Sequence, residues 1–175
     1  RCIKEQKPNT EIHFLTKFSF KSILENNPNI TKIHTIEKDV KEVITQLQKE
    51  NFDFVVDLHN NIRSMQTKNA LSKPTSTFSK LNFKKWVLVN FKIDNMPKAH
   101  VVDRYMDTVK KSGIKNDNKG LDYFIPAKDE VSLSSLPVSH QNGYIGFVIG
   151  AKHFTKQLPT EKIISICKKI NKPMV

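Results

Sequence analysis

A loop with two lysines follows the apolar residues 144–149, and its residue types suit the binding of a phosphate. Lys152, Thr155 and Lys156 lie in this loop, and Pro159 then opens a helical pattern. Ligands of open α/β sheets bind at the carboxyl ends of strands, and the free N–H groups at a helix N-terminus attract anions. Lys156 adds a positive charge and Thr155 a hydroxyl. From spacing alone, a phosphate site and a surface loop with solvated lysines are about equally favoured.

A second polar stretch, residues 57–64, follows another apolar segment. Arg63 is one of three arginines among 29 basic residues, and its forked guanidinium suits a carboxylate or phosphate. The alternative, slightly favoured by the residues alone, is that Arg63 pairs with Asp57 and fastens the loop. His59 is more typical of a hydrogen-bonded loop histidine than of a catalytic base.

A third stretch opens the helical pattern of residues 102–109. His100 and Arg104 are four residues apart and share a helix face, where they line a cleft or Arg104 pairs with an acid. Asp103 in the first turn is explained by the helix dipole. The sequence contains no Walker, GxGxxG, HExxH or GxSxG motif. Nucleotide sites of the P-loop or simple dinucleotide type, hydrolases and metalloenzymes are therefore disfavoured, and we expect no metal site.

The elements that would position these residues alternate between short β-rich runs and helical stretches. Residues 11–15, 32–36 and 52–58 are predicted strands, and the last has the continuous apolar pattern of a strand buried on both faces of a parallel sheet. Helices are predicted around residues 20–24, after a cap at Asp39, and over residues 62–71. This alternation predicts an α/β fold of stacked βαβ units with right-handed crossovers.

The second half of the sequence predicts a change of packing unit. Residues 83–91 fit a helix or a strand, residues 102–109 a helix that Gly113 ends, and residues 122–125 one more strand. Residues 126–142 are rich in Ser and Pro and are interpreted as a linker. Residues 144–149 then start a new buried strand. We therefore expect a domain over residues 1–125, a linker over 126–142 and the beginning of a second domain over 143–175.

The composition excludes fibrous, collagen-like and disulfide-scaffold proteins. Hydrophobic residues make up 38%, enough for a core, and Cys2 and Cys167 are predicted to be reduced thiols of a reducing compartment. No apolar run approaches the ~20 residues that span a bilayer. The net charge of +12 is spread over nearly every segment, which favours a solvated surface and allows attraction to anionic membranes or substrates. Both ends of the sequence fall inside predicted elements, so we expect a piece of a longer protein.

Taken in order, the three polar stretches resemble the heptosyltransferases of glycosyltransferase family 9, which act in bacterial lipopolysaccharide synthesis. The family pattern is D-L-H-x-N-x-R-S after a strand, H-x-x-D-R before a helix, and G-A, four residues, K-x-W-P after a later strand. This chain carries Asp57-Leu58-His59, Asn61, Arg63-Ser64, then His100, Asp103-Arg104, then Gly150-Ala151 and Lys156-Gln157-Leu158-Pro159.

The resemblance implies two Rossmann-like parallel-sheet domains, the glycosyltransferase B fold, with only the start of the second domain in this chain. It implies transfer of a heptose or related sugar from an ADP-sugar to a lipid-linked anionic saccharide, without a further cofactor and without nucleic acid as a partner. The protein would be cytoplasmic, with peripheral contact at the inner face of the inner membrane. Donor phosphates would meet Lys156, Thr155 and Ala151, and the acceptor would meet Arg63, His59, His100 and Arg104. We expect Arg63 and His100 to face an interdomain cleft.

Two departures from the family pattern matter. Leu158 replaces the usual Trp, and the loop that carries the expected general base would precede Arg1, so the catalytic residue is unknown and the fragment is expected to be inactive alone. Two other functions stay open: another nucleotide-dependent α/β enzyme, or a basic non-catalytic module that binds nucleic acid or anionic lipid. The module would bind with a steep salt dependence and without affinity for nucleotide sugars.

Overall fold

Strands and helices alternate along the 175 residues, all of which the computed structural model describes. The strands are β1 (His13–Lys17), β2 (Lys32–Ile36), β3 (Val55–Asp57) and β4 (Thr75–Thr77). The helices are α1 (Cys2–Gln6), α2 (Lys21–Leu24), α3 (Ile44–Lys49), α4 (Ile62–Leu71), α5 (Asn82–Phe91), α6 (Val101–Lys110), α7 (Val138–Gln141) and α8 (Thr160–Lys169). Short 3-10 turns lie at Phe18–Phe20, Val40–Glu42, Ala127–Asp129, Leu133–Ser135 and Phe154–Lys156.

The chain divides into two units, Arg1–Phe124 and Ile125–Val175. Within the first, α4 has the predicted bounds, and so does β2. The ambiguous residues 83–91 form the helix α5. No helix of the chain has both the length and the apolar character that crossing a membrane requires.

The strands are parallel, as the alternation predicts, but they form two separate pairs instead of one stack. β1 pairs with β2 from His13 opposite Lys32 to Lys17 opposite Ile36, and β3 pairs with β4. A groove of about 480 Å³ lies between β1 and β3 and is lined by residues of both strands. Each pair therefore has a strand edge at this groove.

The expectation of a long, doubly buried strand over residues 52–58 is wrong. β3 spans only three residues, and the flanking Phe54 and Leu58 are 41% and 40% exposed. The physical reason is that β3 has a hydrogen-bonded neighbour on one side only, since its other edge borders the groove. An apolar run does not by itself reveal how many neighbours will cover it.

The core of the first unit forms on the helical side of the β1–β2 pair. Asp39 accepts a hydrogen bond from Lys41 N–H, while the Glu42 carboxylate accepts from Asp39 N–H at 2.7 Å, a reciprocal capping box. This capping box begins a short turn. Val43 then departs from helical geometry and separates that turn from α3. The buried side chains of this core are Ile36, Val40, Val43 and Leu47, with Leu15, Phe52 and Leu71 packed against them.

The end of the first unit is held by a turn and an ion pair. Gly113 has a φ of +81°, a conformation that glycine adopts without strain and other residues do not. Ile114 after it is buried. The predicted strand at residues 122–125 is absent. Asp122 instead pairs with Arg1, whose Nη2 also lies 2.8 Å from Asp117 Oδ1. These charge-assisted contacts fasten the segment without any strand ladder.

The second unit contains α7 and α8, with one isolated β-bridge and no strand. Ile145 forms a parallel bridge with Met174, and Phe147 N–H donates to Val175 O at 2.9 Å. The predicted buried strand at 144–149 is therefore reduced to one bridge, and Val148 is 90% exposed because one edge only is paired and nothing covers its face. Residues 126–142, predicted as a linker, contain two 3-10 turns and α7 and group with this unit.

Candidate functional site

Asp57 organises the loop that follows β3. Its side chain is 2% exposed, and its Oδ1 accepts hydrogen bonds from the N–H groups of His59 at 2.9 Å and Asn60 at 2.7 Å. Its Oδ2 lies 2.8 Å from Lys68 Nζ on α4. Asn60 has φ of +46°, a conformation that Asn tolerates better than most residues. One buried carboxylate therefore sets the path of the chain from β3 into α4.

The charge of this carboxylate is maintained in spite of its burial. Burial alone raises the pKa of Asp57, but Lys68 and the backbone N–H groups of Asn60 and His59 together outweigh it and hold the pKa below its usual value. Asp57 is thus ionised near neutral pH. A buried acid with its donors already placed is suited to shaping a loop, and less suited to taking a proton from a substrate.

Arg63 does not form the ion pair with Asp57 that one interpretation of the sequence predicts. Lys68, not Arg63, is the partner of Asp57, because a residue at the second position of α4 projects outward while Lys68 one and a half turns later faces back to β3. Arg63 and His59 are both exposed. Asn61 caps α4 by accepting from Ser64 N–H at 2.9 Å. The two candidate acceptor-binding residues therefore sit on a fixed loop and helix start, with their polar groups open to solvent.

Arg104 on α6 is held against an aromatic ring instead of an acid. Its Cζ lies 4.8 Å from the centre of the Phe78 ring, and its Nη2 donates to Ser79 O at 2.5 Å. The predicted alternative, pairing with a neighbouring acid, is therefore not what the structure contains. A guanidinium stacked in this way keeps further N–H donors in its plane.

Phe78 connects Arg104 to the loop of Asp57. Phe78 N–H donates to Asp57 O at 2.8 Å, and Asn60 Nδ2 donates to Phe78 O at 3.1 Å. The structure thus brings together the loop carrying His59 and the side chain of Arg104, beyond the carboxyl ends of β3 and β4. Neither Phe78 nor Lys68 was found from the sequence, since both act through tertiary contacts that no short motif encodes.

His100 has a local structural role. It is the N-cap residue of α6, and its Nδ1 accepts from Val102 N–H at 3.3 Å. Its ring is exposed, so Nε2 stays open. The shared face with Arg104 that the spacing predicts is consequently limited, because a cap residue lies outside the helix proper.

The second unit carries the loop of the predicted phosphate site. Lys156 ends a 3-10 turn, Thr155 precedes it, and Gln157 Nε2 donates to Ala151 O at 2.8 Å, which closes the loop on itself. The side chains of Thr155 and Lys156 are exposed, and Lys156 makes no ion pair. Pro159 is the N-cap of α8 and offers no side-chain cap, so the first N–H groups of that helix point outward unsatisfied.

Comparisons with known proteins show which proteins this chain is similar to. The chain is 30% identical to lipopolysaccharide heptosyltransferase 1 of Campylobacter coli over 95 positions, which cover 51% of this chain and 28% of that protein. It superimposes on a solved glycosyl transferase family 9 structure from Veillonella parvula with a TM-score of 0.66 and 19% identity, over 94% of this chain and 52% of the other. No family model matches the chain.

The chain therefore spans about a quarter of the curated relative and about half of the solved structure. At 19% identity the structural match defines the fold, which is a mixed α/β arrangement with parallel strands. The order of the motifs, the sequence match and the shared fold agree with one another. This chain resembles glycosyltransferase family 9.

Proposed function

We propose that this chain is part of a glycosyltransferase that moves a heptose, or a related sugar, from an ADP-sugar to a lipopolysaccharide-type acceptor. The observation that carries the proposal is the combination of three ordered motifs with the fold of a family 9 structure. Each motif lies where a strand ends or a helix begins, which is where open α/β folds bind ligands. The proposed acceptor is a lipid-linked anionic saccharide, and no cofactor beyond the donor is needed.

In this proposal the donor diphosphate binds at the loop of Lys156. The exposed ammonium, the hydroxyl of Thr155 and the uncapped N–H groups of α8 are donors of the kind that stabilise phosphate oxygens. Transfer breaks the bond between the anomeric carbon and the diphosphate, so negative charge grows on the leaving oxygen. Lys156 would stabilise that charge more strongly in the transition state than in the bound donor.

The acceptor side would use the rim beyond β3 and β4. Arg63 is exposed at the start of α4, and Arg104 is fixed on the ring of Phe78 with N–H donors to spare. Both suit an anionic saccharide, while His59 and His100 offer ring nitrogens for its hydroxyls. None of these residues is assigned the role of the general base that takes the proton from the attacking hydroxyl.

The decisive experiment compares Lys156→Ala with Lys172→Ala in the complete enzyme. Both lysines are exposed and belong to the same unit, but only Lys156 is in the proposed donor loop. We expect Lys156→Ala to lower turnover by about 10²- to 10³-fold, the effect of removing one preorganised donor, or ~2.7–4 kcal/mol of transition-state stabilisation. ADP release from ADP-heptose measures turnover, and Lys172→Ala should behave as wild type.

Removing a negative charge at the N-terminus of α8 gives a second test, with an expected effect on ADP binding opposite to that of Lys156→Ala. Glu161 lies in the first turn of α8, where its negative charge competes with a bound diphosphate. Glu161→Gln should therefore tighten ADP binding in a calorimetric titration, while Lys156→Ala weakens it. Unchanged turnover in Lys156→Ala, together with unchanged ADP affinity in both variants, would place the donor elsewhere.

Helix α5 supports the proposed contact with a membrane surface. Phe83, Trp86 and Val89 are three residues apart on one helix face and are 74%, 52% and 65% exposed. Lys84 and Lys85 are exposed beside them. Aromatic residues with flanking lysines are typical of helices that lie in the interface of an anionic bilayer. A lipid-linked acceptor would be presented at such a surface.

Trp86 makes this contact directly measurable, because it is the only tryptophan of the chain. Its fluorescence should shift to shorter wavelength with phosphatidylglycerol vesicles and not with phosphatidylcholine vesicles. Replacing Lys84 and Lys85 by Glu should abolish the shift, whereas Val148→Ser, at a 90% exposed position in the other unit, should leave it unchanged. No shift with anionic vesicles, or an equal shift with neutral ones, would refute α5 as the lipid contact.

A further inference from the structure

Two histidines and a glutamate from three different elements meet at the amino end of β1. His13 Nδ1 lies 3.1 Å from His34 Nε2, across the β1–β2 pair. Glu50, just after α3, places its Oε2 3.9 Å from His13 Nδ1 and its Oε1 3.9 Å from His34 Nε2. The ligand atoms of the three residues all lie within 4.8 Å of one another. The chain therefore gathers three potential metal ligands that are far apart in sequence.

The cluster is partly enclosed. The side chain of His34 is 1% exposed, that of His13 is 9% and that of Glu50 is 20%. The ring of Phe52 stands edge-on to both imidazoles, with centroids at 5.1 Å from His13 and 6.5 Å from His34. His13, His34 and Phe52 also line the groove between β1 and β3, so a cation at this point would be partly shielded and reachable from that groove.

The protonation states suit a cation. Burial lowers the pKa of His34, and the neighbouring His13 lowers it further, so the imidazole is neutral with a lone pair available. The pKa of Glu50 is lowered as well, mainly by its hydrogen bond with Lys32, so the carboxylate is ionised. Neutral imidazole and ionised carboxylate are the forms that bind metals.

The distances match a small tetrahedral ion. Zinc binds His nitrogen and carboxylate oxygen at about 2.0–2.2 Å, so two ligands of a tetrahedron are about 3.3–3.5 Å apart. The 3.1 Å between the two nitrogens is close to this value, and each nitrogen has a different oxygen of Glu50 at 3.9 Å, about 0.5 Å longer. Rotation of the carboxylate about its own torsions closes such a gap.

A further carboxylate, that of the exposed Glu11, lies near the cluster but beyond hydrogen-bond distance. His13 uses Nδ1 toward the cluster, and its Nε2 faces Glu11 Oε2 at 3.7 Å. Metal-binding histidines commonly turn their second ring nitrogen to a carboxylate, which fixes the ring and raises its basicity. His34 Nδ1, by contrast, is buried without any partner.

We propose that His13, His34 and Glu50 form a three-ligand site for a divalent transition metal, with zinc as the ion that fits the ligand set. The fourth position would be open to a water molecule on the side of Glu50. A bound ion would join β1 and β2 to the end of α3, and would stabilise the first unit. The site is far in sequence from Lys156 and has no part in sugar transfer, so its failure would leave the proposed function untouched.

Lys32 competes with a metal ion for the carboxylate of Glu50, which allows a second test. Its ammonium pairs with Glu50, and its side chain is 45% exposed, so it can turn into solvent when a metal takes the carboxylate. Removing this charge by Lys32→Gln should therefore tighten zinc binding. A plain hydrogen bond between the two histidines, with no metal, makes no such prediction.

The experiment is a zinc titration of the complete protein after removal of metals with a chelator. We expect saturable binding of one zinc ion per chain, a rise of the melting temperature with zinc, and intense visible absorption of four-coordinate type when cobalt replaces it. Glu50→Gln should weaken zinc affinity at least about 10-fold, and His34→Gln by more, since loss of even an outer partner of a metal ligand typically costs about 10- to 100-fold. His153→Gln, at an exposed histidine of the other unit, is the matched control and should bind as wild type.

Glu50→Gln keeps the test decisive if His34→Gln unfolds, because Glu50 is at the surface of the cluster. Weaker binding in Glu50→Gln with tighter binding in Lys32→Gln would establish the site. Absence of one-to-one binding, or equal zinc affinity in wild type and both variants, would overturn the proposal and leave the histidines as a hydrogen-bonded pair.

Discussion

Replacing Asp57 by Asn should destabilise the first unit through one well-defined defect. Asn can still accept the two N–H groups of His59 and Asn60 with its oxygen, at the 2.9 and 2.7 Å positions. Its amide NH₂ would then face the ammonium of Lys68, which now lies 2.8 Å from a carboxylate oxygen. The substitution therefore keeps the shape and removes only the charge that neutralises Lys68.

The magnitude follows from the burial of the pair. The side chain of Asp57 is 2% exposed and that of Lys68 is 18%, so solvent screens their attraction only in part. Removing one partner of a fully buried ion pair costs about 3–5 kcal/mol, and the partial exposure of Lys68 lowers this cost. We expect Asp57→Asn to lower the free energy of unfolding by about 2–3 kcal/mol, and a double-mutant cycle with Lys68→Met to give a coupling of about 1–2 kcal/mol.

The pH dependence has a definite sign. The pKa of Asp57 is depressed in the folded protein, so its contribution is complete above the unfolded value of 3.8 and is lost as pH falls through the lower folded value. The difference between wild type and Asp57→Asn should be constant from neutral pH to about pH 5 and should shrink below about pH 4. In Lys68→Met this acid-dependent part should be smaller, because the pKa of Asp57 rises when its partner is removed.

Urea denaturation at several pH values measures these differences. Asp53→Asn is the matched control, since Asp53 is exposed four residues earlier and should change stability by less than about 0.5 kcal/mol. An effect of Asp57→Asn no larger than that of the control, or a coupling near zero with Lys68→Met, would show that other contacts hold the loop. Asp57 would then have no controlling part in the path of the chain from β3 to α4.

Four further outcomes are expected. Lys156→Ala should reduce turnover of the complete enzyme without a measurable change in its melting temperature, since a solvated lysine adds little to packing. Arg104→Lys should lower stability by about 1 kcal/mol, because lysine loses the flat stacking on Phe78, and an equal stability would deny that contact any weight. Gly113→Ala should lower stability by about 1 kcal/mol in urea denaturation through φ of +81° alone, as no atom lies within 4 Å of the added methyl group. Asp39→Ala should lower it by about 1 kcal/mol through the lost cap, with Asp39→Asn close to wild type.

Local patterns were sufficient wherever a segment's own residues decide its conformation. The predicted bounds of α4 are confirmed, and the structure shows Asn61 as its N-cap and Ser72 in a left-handed conformation at its C-cap. Strand β2 was equally clear, because three of its five residues are β-branched and its last residue, Ile36, belongs to the core. The order of the three polar motifs was also a property of the sequence, and the fold resemblance to a family 9 structure agrees with it.

Other expectations depended on neighbours that a linear pattern does not reveal. Residues 122–125 and 144–149 have the composition of strands, yet the first is held by Arg1 and the second has one paired edge. A strand exists only when another backbone satisfies its N–H and C=O groups. Composition measures how well side chains fit a sheet, and leaves open whether a partner strand is in place.

The sequence by itself determined the α/β alternation, the bounds of α4, the glycine turn that follows α6, and the residue types offered for phosphate and saccharide binding. Tertiary structure decided which charges are already used: Lys68 takes the carboxylate that the sequence alone would pair with Arg63. It also brought His13, His34 and Glu50 within 4.8 Å of one another. The physical reason is the sequence separation of the residues that interact. Capping and turn conformations depend on residues a few positions apart, whereas ion pairs and ligand clusters form between residues that only the folded chain makes neighbours.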